Sequence, residues 1–355
     1  MLGFGSLLRD YLDYYKISQT DFAERLGISK KHLNNIINGK VGISEELMVA
    51  ISLITDIDIK LIVFAEKQRR VYNYLHERFD NEKSIKEFLN TFYLKDMSKL
   101  GWIKLKDVTN TTQNAVDLLE YLNLSSFDLT AEYINTKVLY KKKDDANQKK
   151  IYLWIKHCDK LIIEQNVFEY SSANFSKLLD ELKFEQNKPF NTVSLTKILN
   201  KYGIYLVVED ALRATKIRGC MMVKITNPAI YLTKTFKEKA SFYFALYHEL
   251  AHVKKDYNMA KNKIVVDDST SEKEIDEVAL NWMIDKNIWD LIKENPNEVK
   301  EICQKNNIPI CFATSRLAKE GLISYNSKIY TANRESINWP LRKMGSGHVL
   351  KHVNC

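Results

Sequence analysis

Chain breakers are scarce in this sequence, and their scarcity decides the fold class before any motif is read. Only 11 Gly and 5 Pro occur in 355 residues, so little interrupts the i→i−4 hydrogen-bond ladder of a helix. A mostly α chain follows, divided by its length into two or three domains. With 45% hydrophobic residues it can bury sizeable cores, which excludes collagen-like, linker-rich and extensively disordered classes.

The few breakers present mark where elements end. Residues 1 to about 65 hold four short helical blocks, SLLRDYLDYYK, SQTDFAERL, SKKHLNNIIN and SEELMVAISLIT, separated by Gly, Ser or Asp. A second region, 66–188, reads as further helices (EKQRRVYNYLHERF, SIKEFLNTFYL, NAVDLLEYLN, ANFSKLLDELKF) interrupted by the charged run KKKDDANQKK, expected to be an exposed loop. After Pro189 a helix near 191–202 precedes three apolar runs, IYLVV, CMMVKI and AIYLT, which read as a small sheet with Asn227-Pro228 as the turn between the last two. Long helices follow, from about Phe236 to Lys255 and from about Ser271 to Ile288. The third domain, 189–336, is therefore expected to be α+β, with 337–355 as a C-terminal tail.

In SQTDFAERLGISKKHLNNIINGK, Ser18 can cap a helix that buries Phe22, Ala23 and Leu26, Gly27 supplies a tight turn, and Ser29 can cap the next helix. On that second helix Leu33, Ile36 and Ile37 form a buried stripe, which turns Lys31, Asn34, Asn35 and Asn38 outward with Lys30 at the N-terminal end. The outward face is polar and basic. Asn can pair with adenine in the major groove and Lys can reach phosphate or guanine, the chemistry a recognition helix requires. A formal net charge of +8, from 53 Lys plus Arg against 45 Asp plus Glu, suits a polyanionic partner.

The segment from about Leu7 to Val63 resembles the Cro/C1-type (XRE-family) helix-turn-helix domain, in Gln19 at the start of its second helix, Phe22-Ala23, Gly27 and Asn38-Gly39-Lys40. The resemblance implies that Gln19 contacts phosphate and that residues 29–38, from Ser29 on, face the groove of double-stranded operator DNA. One such helix reads only a short site, so a homodimer on two half-sites is expected, with 66–188 as the place of its contact.

His248-Glu249-Leu250-Ala251-His252 is HExxH within an apolar helical stretch. Four residues at about 1.5 Å each bring both imidazoles to one face, one turn apart, where they can bind a single Zn²⁺. Glu249 is offset so that its carboxylate can take a proton from metal-bound water. Twenty residues on, Glu272 and Asp276 share one face of the next helix: Glu272 can be the third ligand, and Asp276 can hold a ligand histidine by its distal N–H. Glu274 and Glu277 compete for the ligand role.

The region from about Pro189 to Ser336 resembles the ImmA/IrrE family of metallopeptidases, on the motifs FALYHELAH and EKEIDEVALNWMI. Where that family usually ends the second helix at a Pro, this chain reads Trp282-Met283-Ile284-Asp285. The resemblance implies a zincin-like, gluzincin-type fold and a zinc endopeptidase that cleaves a partner protein such as a repressor. The domain order is also similar to HigA-type antitoxin regulators, which implies as the alternative a non-catalytic repressor that binds operator DNA and docks a toxin through its zinc domain.

Other features carry less. The five cysteines, Cys158, Cys220, Cys303, Cys311 and Cys355, are never in CxxC, so neither a disulfide framework nor a Cys-type zinc ribbon is expected, and a reducing cytoplasm fits. The early charges Arg9 and Asp10, and the lack of a long uncharged apolar run, argue against a signal peptide and a membrane span. His348 and His352 form a second i, i+4 pair without an intervening Glu, and His76 and His157 have no companions at ligand spacing.

Overall fold

The computed structural model describes residues 3–77, 82–105, 107, 109–125, 145–261 and 272–340. The chain divides into two compact units, residues 1–91 with 105–118, and residues 92–104 with 119–355. Among the described residues the chain is mainly helical, with one three-stranded sheet in its C-terminal half.

In the first unit, α1 (Phe4–Tyr15), α2 (Gln19–Arg25), α3 (Lys30–Ile37), α4 (Glu45–Ile54) and α5 (Ile59–His76) follow one another at short loops. Three serines begin three of them: Ser18, Ser29 and Ser44 each accept from the backbone N–H three residues on, at 3.1, 3.1 and 3.2 Å, satisfying donors the helix leaves unpaired. The α2–α3 turn closes through Ile28 N–H to Ala23 O at 3.0 Å, with Gly27 at φ +67°, the left-handed cap that favours glycine. Phe4, Leu8, Phe22, Leu33, Ile36 and Ile51 fill one core.

The approach of α1 to α3 is backbone on backbone. A Cβ at Gly5 would fall 2.2 Å from the carbonyl oxygen of Ile36, so only glycine permits this crossing. Glu66, 2% exposed, is held by Arg69 in a bidentate pair, with Nε to Oε2 at 3.1 Å and Nη2 to Oε1 at 2.5 Å, and the arginine side chain lies against Gly3 and Gly42. The unit continues with α6 (Glu82–Thr91).

The second unit is layered about its sheet. Strands β1 (Tyr205–Glu209), β2 (Gly219–Lys224) and β3 (Asn227–Thr233) lie in the order β1-β3-β2, β1 parallel to β3 and β2 antiparallel to it. Side chains alternate between faces: Leu206, Met221, Ile230 and Leu232 join the main core, whereas Tyr231 points the other way and meets Trp154 edge-on, ring centroids 6.3 Å apart. Trp154 belongs to α9 (Asp145–Leu161), which follows α7 (Leu94–Lys99) and α8 (Thr111–Leu122).

The two connections called from sequence in this region differ in the structure. The run KKKDDANQKK is not all loop, because residues 145–150 open α9; the consecutive buried residues Ile151, Tyr152, Leu153, Trp154 and Ile155 give that helix no amphipathic period to read. The β2–β3 turn is Ile225-Thr226, flanked by the pair Lys224 and Asn227, and Pro228 lies inside β3 opposite Val223. Pro is tolerated there because β1 pairs with β3 only from Ala229 on.

The core face of the sheet is covered by α12 (Lys239–Ala260), which is buried around most of its circumference, with α10 (Phe175–Glu185) and α11 (Thr192–Lys201) beside it. Helix α13 (Glu272–Met283) packs along α12, and α14 (Lys286–Glu294), α15 (Val299–Lys305), α16 (Ile310–Lys319) and α17 (Lys328–Asn333) complete the unit. Ile302, Phe312 and Leu317 enter the main core. Residues 335–339 return to the start of α12: Lys239 N–H donates to Glu335 O at 3.0 Å, Ile337 N–H to Lys237 O at 2.8 Å, and Trp339 Nε1 to Phe236 O at 2.8 Å. The buried Lys239 ammonium completes the closure, donating to Glu335 and to the carbonyl of Lys188.

Candidate functional sites

Helix α3 presents one polar face. Leu33, Ile36 and Ile37 are buried, whereas Lys30, Lys31, Asn34 and Asn38 are exposed and Asn35 is half-buried. Ser29 caps α3, and its hydroxyl proton stays free to donate. Gln19 is the first residue of α2 and is half-buried.

A chain of amides stiffens this face. Arg9 on α1 donates through Nη2 to Asn38 Oδ1 at 2.8 Å and to Ile37 O at 3.3 Å, and Asn38 Nδ2 donates in turn to Asn34 Oδ1 at 2.9 Å and Asn34 O at 2.8 Å. Arg9 therefore orders two of the outward asparagines from a neighbouring helix. Sequence reasoning missed it, because nothing in the motif from 18 to 40 points back to α1.

In the second unit, His248 and His252 lie one turn apart on α12, both buried, with Nε2 atoms 3.2 Å apart. Each ring's other nitrogen meets a carboxylate: His248 Nδ1 is 2.8 Å from Asp276 Oδ1, and His252 Nδ1 is 2.7 Å from Asp256 Oδ2. Glu249 is buried beside them, close enough to β2 that a Cβ at Gly219 would fall 2.7 Å from its Oε1. Phe244, a turn earlier on α12, stands 6.1 Å from His248, ring to ring.

Helix α13 begins at Glu272, whose side chain lies outside the described residues. Its competitors point elsewhere: Glu274 is exposed and paired with Lys255, whose hydrogen bond holds that carboxyl below its usual range, and Glu277 is exposed. Among the described residues no group of three His, Cys, Asp or Glu side chains is placed to hold a metal. His157 is stacked on Trp102 and its Nδ1 lies 3.2 Å from the Tyr121 hydroxyl. His348, His352 and Cys355 lie outside the described residues, as does the side chain of His76.

Comparison with known protein families bears on the first of these two sites. Residues 8–62 match the helix-turn-helix family. The helix-turn-helix segment coincides with α1 to the start of α5 and supports a DNA-binding transcriptional regulator. No curated protein and no solved structure matches the chain. Among the described residues no helix is long and apolar enough to cross a membrane.

Asp256 also escaped sequence reasoning, although its signal was present: it follows His252 by four residues in HVKKD, the spacing that places two side chains on one helix face.

Proposed function

We propose that this regulator couples DNA binding to a zinc-dependent endopeptidase of ImmA/IrrE type, with a zincin-like fold around α12 and α13, that cleaves a partner protein such as a repressor. The observation that carries the reading is the pairing of each histidine with its own aspartate. A carboxylate accepts, so each Nδ1 can donate to its aspartate, and the two Nε2 atoms face each other at 3.2 Å. Nitrogens bound at 2.0–2.1 Å to one tetrahedral Zn²⁺ are about 3.4 Å apart, so the residues fit that ion.

His248 and His252 would hold Zn²⁺, with Glu272 as third ligand. When bound, the ion lowers the pKa of water and polarises a carbonyl. Asp276 and Asp256 fix the tautomer and orientation of both imidazoles. The Glu249 carboxylate takes the proton from the attacking water as the oxygen–carbon bond forms, and passes it to the amide nitrogen as the carbon–nitrogen bond breaks. At the other site, Lys30, Lys31, Gln19 and Ser29 position α3 on phosphates, and Asn34, Asn35 and Asn38 face the bases. Two copies of the chain on half-sites about one DNA turn apart would complete the operator.

Metal analysis of the full chain tests the reading. About one Zn²⁺ per chain is expected, lost in the His248→Ala, His252→Ala double variant. Glu249→Gln should keep the metal and lose about 10²–10⁴-fold in cleavage of the partner. Stoichiometric zinc persisting in the double variant, or undiminished cleavage by Glu249→Gln, would overturn it.

A further inference from the structure

A cavity of about 760 Å³ opens beside His248 and Glu249. Five cations line it, Arg218, Lys237, Arg316, Lys319 and Arg334, against the acids Glu238, Glu249 and Asp276. Two of those acids are already engaged: Glu238 accepts from the Tyr330 hydroxyl at 2.8 Å, and Asp276 meets His248. Lining charge is therefore in cationic excess, and cavity walls of low dielectric strengthen its field.

The cations on α16 are set in place rather than waving in solvent. The Arg316 guanidinium lies 4.2 Å from the Trp289 ring centroid, and its Nε donates to Glu320 at 2.8 Å. Its side chain is 12% exposed and lines the cavity, and guanidinium matches carboxylate geometry. One turn on, Lys319 Nζ lies 4.2 Å over the ring of Phe244, the residue that stands against His248. This cationic wall thus runs up to the histidine pair. Arg334, across Glu238 at 3.8 Å, and the exposed Arg218 and Lys237 extend the positive lining.

We propose that this cavity binds a peptide through a carboxylate received by Arg316, Lys319 and Arg334, so that the substrate is an acidic peptide segment. The word substrate rests on the peptidase reading above; the binding does not. The carboxylate can belong to an Asp or Glu side chain or to a peptide's free C-terminus, and both present the same group to the same wall.

The test uses full-length Glu249→Gln protein and fluorescein-labelled peptides of about ten residues, followed by anisotropy. One peptide carries Glu and Asp about its centre, a second carries Gln and Asn in their place, a third carries Lys, and each is made with a free and an amidated C-terminus. The acidic amidated peptide should bind at least about tenfold more tightly than its neutral partner, with an advantage that shrinks in high salt. A neutral peptide that binds tightly only with its C-terminus free would place the carboxylate at the chain end and equally support the proposal. Arg316→Gln should remove the preference, and so should Lys319→Gln with Arg334→Gln, two exposed positions that spare the Trp289 stack. Equal binding of acidic, neutral and basic peptides in amidated form, with no gain from a free C-terminus, would overturn the proposal, as would a preference undiminished in both variants. Selective binding without cleavage by the zinc-loaded wild type would instead overturn the peptidase and leave this site standing. Cleavage of amidated neutral peptides as fast as acidic ones, unchanged by freeing the C-terminus, would do the reverse.

Discussion

His252 Nδ1 lies 2.7 Å from Oδ2 of Asp256, one turn further along the same helix. His248 is held in the same way from a different helix, by Asp276 on α13. One imidazole is thus oriented within α12 alone, whereas the other is oriented only once α13 has docked.

Two variants test these contacts. Asp256→Asn and Asp276→Asn should each weaken zinc binding by about 10–100-fold, because an amide supports the tautomer without sharing negative charge. Competition with a chelator of known affinity measures this. Zinc affinity unchanged in both variants would remove the carboxylates from the account of the site.

At the DNA face, Lys30→Ala or Lys31→Ala should weaken binding to specific and random duplexes alike and lower the salt slope by about one counterion. Asn35→Ala, which touches no phosphate in this reading, should cost about 1–3 kcal/mol at the operator and little elsewhere. Titrations at several salt concentrations separate the two behaviours, and identical losses on both duplexes for Asn35→Ala would show that this residue does not read bases.

Gly5→Ala tests the crossing of α1 and α3. The new methyl group meets the backbone oxygen of Ile36, which cannot rotate away, so a destabilisation of about 1–3 kcal/mol is expected. Faster hydrogen exchange of the α1 and α3 amides reports it; protection equal to wild type would mean that the helices part at little cost.

Ile225 predicts a gain. It occupies the β2–β3 turn at φ +59° and is 98% exposed, a β-branched side chain in the left-handed region with no packing to compensate. Ile225→Asn should stabilise the second unit by about 0.5–1 kcal/mol, since Asn suits the positive φ of a two-residue hairpin turn. Denaturant titration followed in that unit gives the sign, and a loss of stability would mean that Ile225 is less strained than its φ implies.

The parts legible from sequence were those written in local pattern. Serine caps, Gly27 and the buried stripe Leu33, Ile36, Ile37 lie within a few residues of one another, so α2 and α3 could be read together with their turn. The three strands were readable as β-branched and aromatic runs. Helix α9 was not, since the consecutive buried residues Ile151 to Ile155 hide the helical period at its centre. The β2–β3 turn was misplaced because Asn-Pro is a stronger turn signal than Ile-Thr, and the strand order lets Pro228 sit inside β3. The cavity was the least visible feature, because Arg218, Lys237, Arg316, Lys319 and Arg334 meet only after the chain has folded.

The return of residues 335–339 to the head of α12 bears on when the second unit is finished during synthesis. The partners Lys239 and Glu335 are 96 positions apart, and at about 5–20 residues per second a ribosome needs roughly 5–20 s to cover that span. For that interval the helix that carries His248 and Glu249 lacks the backbone hydrogen bonds to Glu335 and Ile337, the Trp339 anchor and the counterion of its buried lysine. A nascent chain can therefore carry a folded first unit while the second is still unsealed.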